Sequence, residues 1–142
     1  LDLDNFKLVN DTYGHLIGDE ILLSFANILR QTLRDDDLLF RYGGEEFVVL
    51  LQELTEEQAA SVLERVRRNI EKYPFPQAGR VTVSIGHTTL KPGATPNSVI
   101  EEADRALYHA KNHGRNQLCS FPQLIATGGL QPHKDNSSVE LF

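Results

Sequence analysis

Arg41-Tyr42-Gly43-Gly44-Glu45-Glu46-Phe47 sits between two apolar runs, Leu38-Leu39-Phe40 before it and Phe47-Val48-Val49-Leu50-Leu51 after it. Apolar runs on either side of a glycine pair predict a β-hairpin with Gly43 and Gly44 at its tip. Glycine reaches positive φ without steric cost and lets another group come close to the backbone. Glu45 and Glu46 stand at that tip, and paired carboxylates at a turn suit a hard cation such as Mg²⁺, which takes oxygen ligands. A metal held there beside a phosphate is one reading. A plain glycine turn with two solvated glutamates is the other, and these seven residues alone leave both open.

Upstream of the hairpin, Leu1-Asp2-Leu3-Asp4 alternates apolar and acidic residues like the end of a strand, with both carboxylates on one side. Asn5 is the expected cap of a short helix carrying Phe6, Leu8 and Val9, and Thr12-Tyr13-Gly14-His15 turns the chain. A long helix is expected from about Gly18 to Leu33, because Ile21, Leu22, Phe25, Ile28, Leu29 and Leu33 form a stripe of 3.6-residue period. Downstream, Thr55 and Gln58 fit a capping box that starts a helix with Ala59, Val62, Leu63, Val66 and Ile70 inside. Pro74 and Pro76 end it. Val81, Val83 and Ile85 alternate with Thr82, Ser84 and Gly86 as a strand with one buried face. A helix from about Asn97 to Asn112 buries Val99, Ile100, Ala103, Ala106, Leu107 and Ala110, and Gly114 stops it. Gln117 to Phe121 is a short closing strand. The order of elements predicts an α/β sandwich with a mixed or antiparallel sheet and helices on its faces. From Pro122 to Phe142 local preferences are weak, so this stretch is expected to be a flexible tail, with Val139, Leu141 and Phe142 able to dock onto a surface.

The 142 residues suffice for one domain with a real core. A net charge of −6 disfavours wholesale binding of nucleic acid or of an anionic membrane surface, but not of a small anion met by local cations and a metal. The single cysteine, Cys119, excludes an internal disulfide and reads as a buried free thiol. No apolar run is long enough for a transmembrane span and no signal peptide is apparent. The chain opens at Leu1 in mid-pattern, as a piece of a longer protein would.

Several separated motifs point one way: Leu1-Asp2-Leu3-Asp4-Asn5-Phe6-Lys7; Asn10-Asp11-Thr12-Tyr13-Gly14-His15 through Gly18-Asp19-Glu20; and Arg41 to Phe47. Val83-Ser84-Ile85-Gly86 follows, then Ala103-Asp104, Ala106-Leu107-Tyr108 and Ala110-Lys111 before Gly114-Arg115-Asn116. In this order and spacing, over about residues 1–120, the chain resembles the GGDEF family, the diguanylate cyclases. The resemblance implies an α+β domain similar to polymerase palms and nucleotidyl cyclases, with a central, mostly antiparallel sheet wrapped by helices. Residues 1–121 would be the catalytic domain, truncated at its N-terminal edge, and 122–142 a tail outside the family pattern. It also implies condensation of two GTP into cyclic di-GMP with release of two pyrophosphates, in a homodimer whose active sites meet. Such a domain is a cytoplasmic output module, in some relatives attached to a membrane-anchored protein.

Residue roles follow from the same resemblance. Asp2, Glu45 and the backbone carbonyl of Leu3 match the ligands of Mg²⁺, with Mn²⁺ as a substitute, and Gly43 and Gly44 shape the catalytic turn. Glu46 falls near the metal or the attacking hydroxyl, as a second ligand, a base or an electrostatic support; support of the metal site is the preferred reading. Asn5, Phe6 and Lys7 lie where free N–H groups of a helix start favour phosphate. Asn10 and Asp19 match the guanine-reading pair, in which a carboxylate accepts from N1–H and N2–H and an amide serves O6 or N3. Lys111 and Arg115 match triphosphate-binding cations; read alone, Lys111 is a cation at a helix C-terminus. Arg34 and Asp37, three apart and five residues before the glycines, match a site for cyclic di-GMP as feedback inhibitor, with Arg65 as a further contact. A silent cyclic di-GMP receptor and a GTP-binding regulatory module are the rival readings. The intact Asp2 and Gly43-Gly44-Glu45-Glu46-Phe47 favour the enzyme.

Overall fold

The computed structural model describes residues 1–132, and the docking role expected of Val139, Leu141 and Phe142 lies outside them. The elements follow in the order β1 (Asp2–Leu3), α1 (Phe6–Tyr13), α2 (His15–Thr32), β2 (Leu38–Gly43), β3 (Glu46–Leu50), α3 (Glu56–Lys72), β4 (Val83–His87), α4 (Pro96–Asn112), β5 (Leu118–Ser120) and α5 (Phe121–Thr127). The strands form one sheet in the order β2-β3-β1-β4-β5. Every pairing is antiparallel except β4 with β5, which is parallel. The expected α/β architecture with a mostly antiparallel sheet is therefore the one observed.

β1 lies at the centre of the sheet although it is only two residues long. Asp2 stands opposite Glu46 on one side and Ser84 on the other. Period-two alternation then sorts the side chains. Leu3, Val83, Ile85 and Phe47 join α2 and α3 in the main core, where Phe25 meets Phe47 edge to face at 4.9 Å. Asp2, Asp4, Ser84 and Gly86 share the opposite side, which α4 covers over β4 and β5. Gly86 permits that packing, since a Cβ there would lie 2.2 Å from both Ala103 O and Leu107 N of α4. β3 and β4 flank β1. They border a groove of about 780 Å³, lined among others by Val48, Leu50, Ile85, Val99, Ile100 and Leu107.

Local signals explain most boundaries. The Thr55–Gln58 capping box is present with both hydrogen bonds, and Thr95 with Ser98 makes a second one that starts α4 with Pro96 at its first turn. α2 begins three residues before the expected Gly18, because Gly14 (φ 87°, ψ 164°) breaks the helix for one residue only. Asn5 departs from its expected part. It occupies the N-cap position of α1 but is left-handed (φ 56°) and makes no side-chain capping bond. Asparagine is one of the few residues that tolerate this conformation, and here it turns the chain sharply out of β1. Weak preferences were expected from Pro122 on, yet residues 121–127 are helical. Ser120 accepts from Gln123 N as the cap and Pro122 sits in the first turn, while Phe121 and Leu124 pack on Ala106, Ala110 and Cys119. Cys119 is a buried free thiol, and burial raises its pKa.

Candidate active site

Asp2 of β1 and Asp4 just after the strand share a face but meet different surroundings. Asp4 is saturated: Oδ1 accepts from Ser84 Oγ at 2.6 Å, and Oδ2 from Thr82 Oγ1 at 2.8 Å and the backbone N of Asn116 at 3.0 Å. Asp2 is buried as well, yet no aligned hydrogen bond reaches its Oδ1. Its charge partner is the ammonium of Lys111, 3.0 Å from that oxygen and 3.5 Å from Asp4 Oδ1. Burial raises the pKa of Asp2, Lys111 opposes the rise, and Glu45 adds to it. A buried oxygen without a full set of donors is poised for an added ligand, whereas Asp4 would have to be stripped of three donors first.

The hairpin brings two more carboxylates to this edge. Gly43 pairs with Glu46, with a register shift after Arg41, so Gly44 and Glu45 form the turn. Gly44 takes φ 48°, and its carbonyl accepts from Arg41 Nε at 3.0 Å. Glu46, directly across from Asp2, has its pKa raised by burial first, then by Asp2, Asp104 and Glu45. Asp2, Glu45, Glu46 and Asp104 thus form an acidic cluster faced by Lys111. Among the described residues no three His, Cys, Asp or Glu side chains converge as a ready-made metal cage. Two carboxylates and a main-chain carbonyl do suit an Mg²⁺ ion that draws its remaining oxygens from phosphate and water.

Asn10 and Asp19, the residues expected to read guanine, lie at the junction of α1 and α2. A Cβ on Gly18 would lie 1.8 Å from Asn10 Oδ1, so the amide rests directly on that glycine, with Asp19 the next residue along and exposed. Phe6 is buried in the core, which leaves its backbone N–H as the group a ligand can use; Lys7 is exposed. Arg115 is exposed in a left-handed conformation just past α4, its N–H donating to Ala110 O at 3.0 Å.

Arg34 and Asp37 meet at the strand ends opposite the hairpin tip, and Arg65 reaches Thr32 two residues from Arg34, but Asp37 points inward. Its side chain is fully buried. It accepts from Arg34 N at 3.0 Å, Arg34 Nη2 at 3.3 Å and Gln52 N at 3.4 Å. Burial alone would raise its pKa; these hydrogen bonds outweigh it and hold the carboxyl below its ordinary range. Arg34 Nη2 also donates to Gln52 O at 2.6 Å, and Arg65 Nη2 to Thr32 O at 3.4 Å. The arginines line this surface and Asp37 anchors one of them.

Two residues of the site carried no role in the sequence reading. Asp4 was legible only as the i+2 partner of Asp2, since its donors come from the distant Thr82, Ser84 and Asn116. Asp104 lies two helical turns before Lys111, a spacing that places both on one face of α4.

Comparison with known proteins agrees with this geometry. The sequence model described as "Diguanylate cyclase, GGDEF domain" matches residues 1–117. The probable diguanylate cyclase DgcT of Escherichia coli K12 is 44% identical over 126 residues, covering 83% of this chain and 27% of that protein. The chain thus spans about a quarter of that relative's length. The GGDEF domain of DgcB from Caulobacter crescentus, solved in complex with c-di-GMP, superposes with a TM-score of 0.81 at 34% identity, over 85% of this chain and 74% of that one. The active GGEEF domain of a diguanylate cyclase from Vibrio cholerae gives a TM-score of 0.78 at 34% identity, over 84% and 78%.

Proposed function

The chain belongs to the GGDEF-domain family, and on that premise we propose that it is a metal-dependent diguanylate cyclase. Two GTP molecules, one on each chain of a homodimer, are joined into cyclic di-GMP. Each 3′-oxygen forms a bond to the α-phosphorus of the other nucleotide, the bond to pyrophosphate breaks, and the hydroxyl proton leaves to solvent. What supports this reading above all is the contrast at β1: Asp4 is filled by protein donors, while Asp2, opposite Glu46, has a buried oxygen met only by the exchangeable ammonium of Lys111.

Asp2, Glu45 and the carbonyl of Leu3 would hold Mg²⁺, or Mn²⁺ in its place. A bound divalent ion supplies charge stabilisation at the phosphates and a more acidic hydroxyl. Asn10 and Asp19 read the guanine edge. The N–H groups at Asn5, Phe6 and Lys7, the Lys7 ammonium, Lys111 and Arg115 meet the triphosphate. Gly43 and Gly44 let the turn lie against the nucleotide, and Glu46 supports the metal site electrostatically. Product returns as an inhibitor to Arg34 and Arg65, with Asp37 as the anchor of Arg34. The domain acts on the cytoplasmic side; among the described residues no helix is long and apolar enough to cross a membrane.

Replacing Glu45 by Ala is expected to lower cyclic di-GMP formation by about a hundredfold or more with the fold retained, as loss of metal-borne charge stabilisation requires. Near-normal turnover in that variant removes the metal assignment. Arg34→Ala is expected to weaken inhibition by added cyclic di-GMP and to leave the initial rate intact. Unchanged inhibition rules out the second site.

A further inference from the structure

We propose that Lys111 is the counter-ion a metal has to displace from Asp2, and that Asp4 is the positioning residue that keeps the ammonium at hand when this happens. The inference rests on the metal assignment of Asp2 given above. A lysine that only met the triphosphate would have no reason to pair with a metal ligand. Here the ammonium lies nearer to Asp2 Oδ1 (3.0 Å) than to Asp4 Oδ1 (3.5 Å). Both carboxylates are buried, and the lysine side chain is itself only 23% exposed. In such surroundings an ion pair is poorly screened, so a cation 3.0 Å from Asp2 and a divalent ion on the same carboxylate exclude one another.

The two aspartates bind the ammonium on unequal terms. Asp2 has little else to hold it there, while Asp4 is locked by Thr82, Ser84 and Asn116. Asn116 is fixed in turn by Arg67, whose Nη1 donates to Asn116 Oδ1 at 2.8 Å, and Arg67 is clamped between Glu64 and Glu71 of α3. Asp4 is therefore a rigid anchor joined to β4, the α4–β5 connection and α3. When a metal takes Asp2, Lys111 keeps one counter-ion and needs only a rotation of its flexible stem to meet phosphate oxygens beside that metal. The same side chain thus opposes metal alone and favours metal with nucleotide, so that the two load together.

Binding of Mn²⁺ alone to the full chain, read by titration calorimetry or by the spin signal of free Mn²⁺, tests this without any turnover. Lys111→Met is expected to tighten Mn²⁺ by on the order of tenfold, the size of effect that one adjacent unit charge has on a neighbouring ionising group. Its affinity for a non-reacting GTP analogue should fall. Lys111→Arg, which keeps the charge, is expected to bind Mn²⁺ as the parent does, and this guards against a fold defect in the Met variant. Unchanged or weaker Mn²⁺ binding in Lys111→Met, or equal tightening in both variants, overturns the proposal. Asp2→Asn separates the two levels: Mn²⁺ binding that survives it defeats the metal assignment itself, whatever Lys111 does.

Discussion

Asp2 and Asp4 are one strand-repeat apart, and their difference is set by neighbours contributed from β4 and from the turn after α4. Asn10 is placed by a similar remote dependence. Its amide rests on the bare Cα of Gly18, 8 residues later. Gly18→Ala adds a methyl where Asn10 Oδ1 now lies, so the amide must swing away from the position proposed for guanine. Loss of one such hydrogen bond predicts a rise in KM for GTP of about tenfold. Steady-state kinetics check it, and an unchanged KM would mean that Asn10 does not read the base. Asp37 makes a different prediction. Its folded pKa is lowered from the ordinary value of 3.8, so its stabilisation is complete above that value and is lost as pH falls through the lower, folded value. Asp37→Asn is expected to cost stability at neutral pH and to flatten the fall in stability as pH drops below about 4. Denaturant melts across that range read the slope; parallel curves for parent and variant would exclude the linkage.

At the scale of elements, periodicity and capping made most of the fold legible before any coordinates. The stripe from Ile21 to Leu29, the Thr55–Gln58 box and the alternation ending at Ile85 each correspond to an observed element. Two of the misreadings share one cause, a single residue whose conformation depends on its context. Gly14 looked like a turn but interrupts the helical path for one residue only, and Asn5 looked like a cap but turns the chain through left-handed space. α5 was missed because the packing of Phe121 and Leu124 on α4 supplies what a seven-residue segment lacks alone. In the candidate site, the acidic turn was legible from its glycines and flanking apolar runs, while the roles expected of Asn10, Asp19, Lys111 and Arg115 rest on the family resemblance alone. The inward Asp37 and the saturated Asp4 were not legible, because hydrogen bonds between distant segments leave no local pattern. Gly86 ties the α4 layer to the sheet. Gly86→Ala forces a Cβ against the α4 backbone, which cannot yield as a side-chain tip can. We expect a loss of about 3 kcal/mol or more, read as a fall in denaturant midpoint; a loss under about 1 kcal/mol would show that α4 can shift outward.

For the whole molecule, the described residues offer one acidic cluster per chain, and one set each of the residues proposed to read guanine and to meet phosphate. The proposed joining of two GTP molecules then calls for two chains, and the repulsion between two net-negative chains would have to be overcome by specific contacts or by metal and nucleotide where they meet. Turnover should accordingly depend on protein concentration as well as on substrate. The most direct measurement is incubation of the chain with GTP and Mg²⁺, following cyclic di-GMP and pyrophosphate as the protein concentration is raised. Cyclic di-GMP formed with two pyrophosphates per product, at a rate per chain that climbs with protein concentration, is the expected result. GTP left unconverted at every concentration, or a product other than cyclic di-GMP, would contradict it.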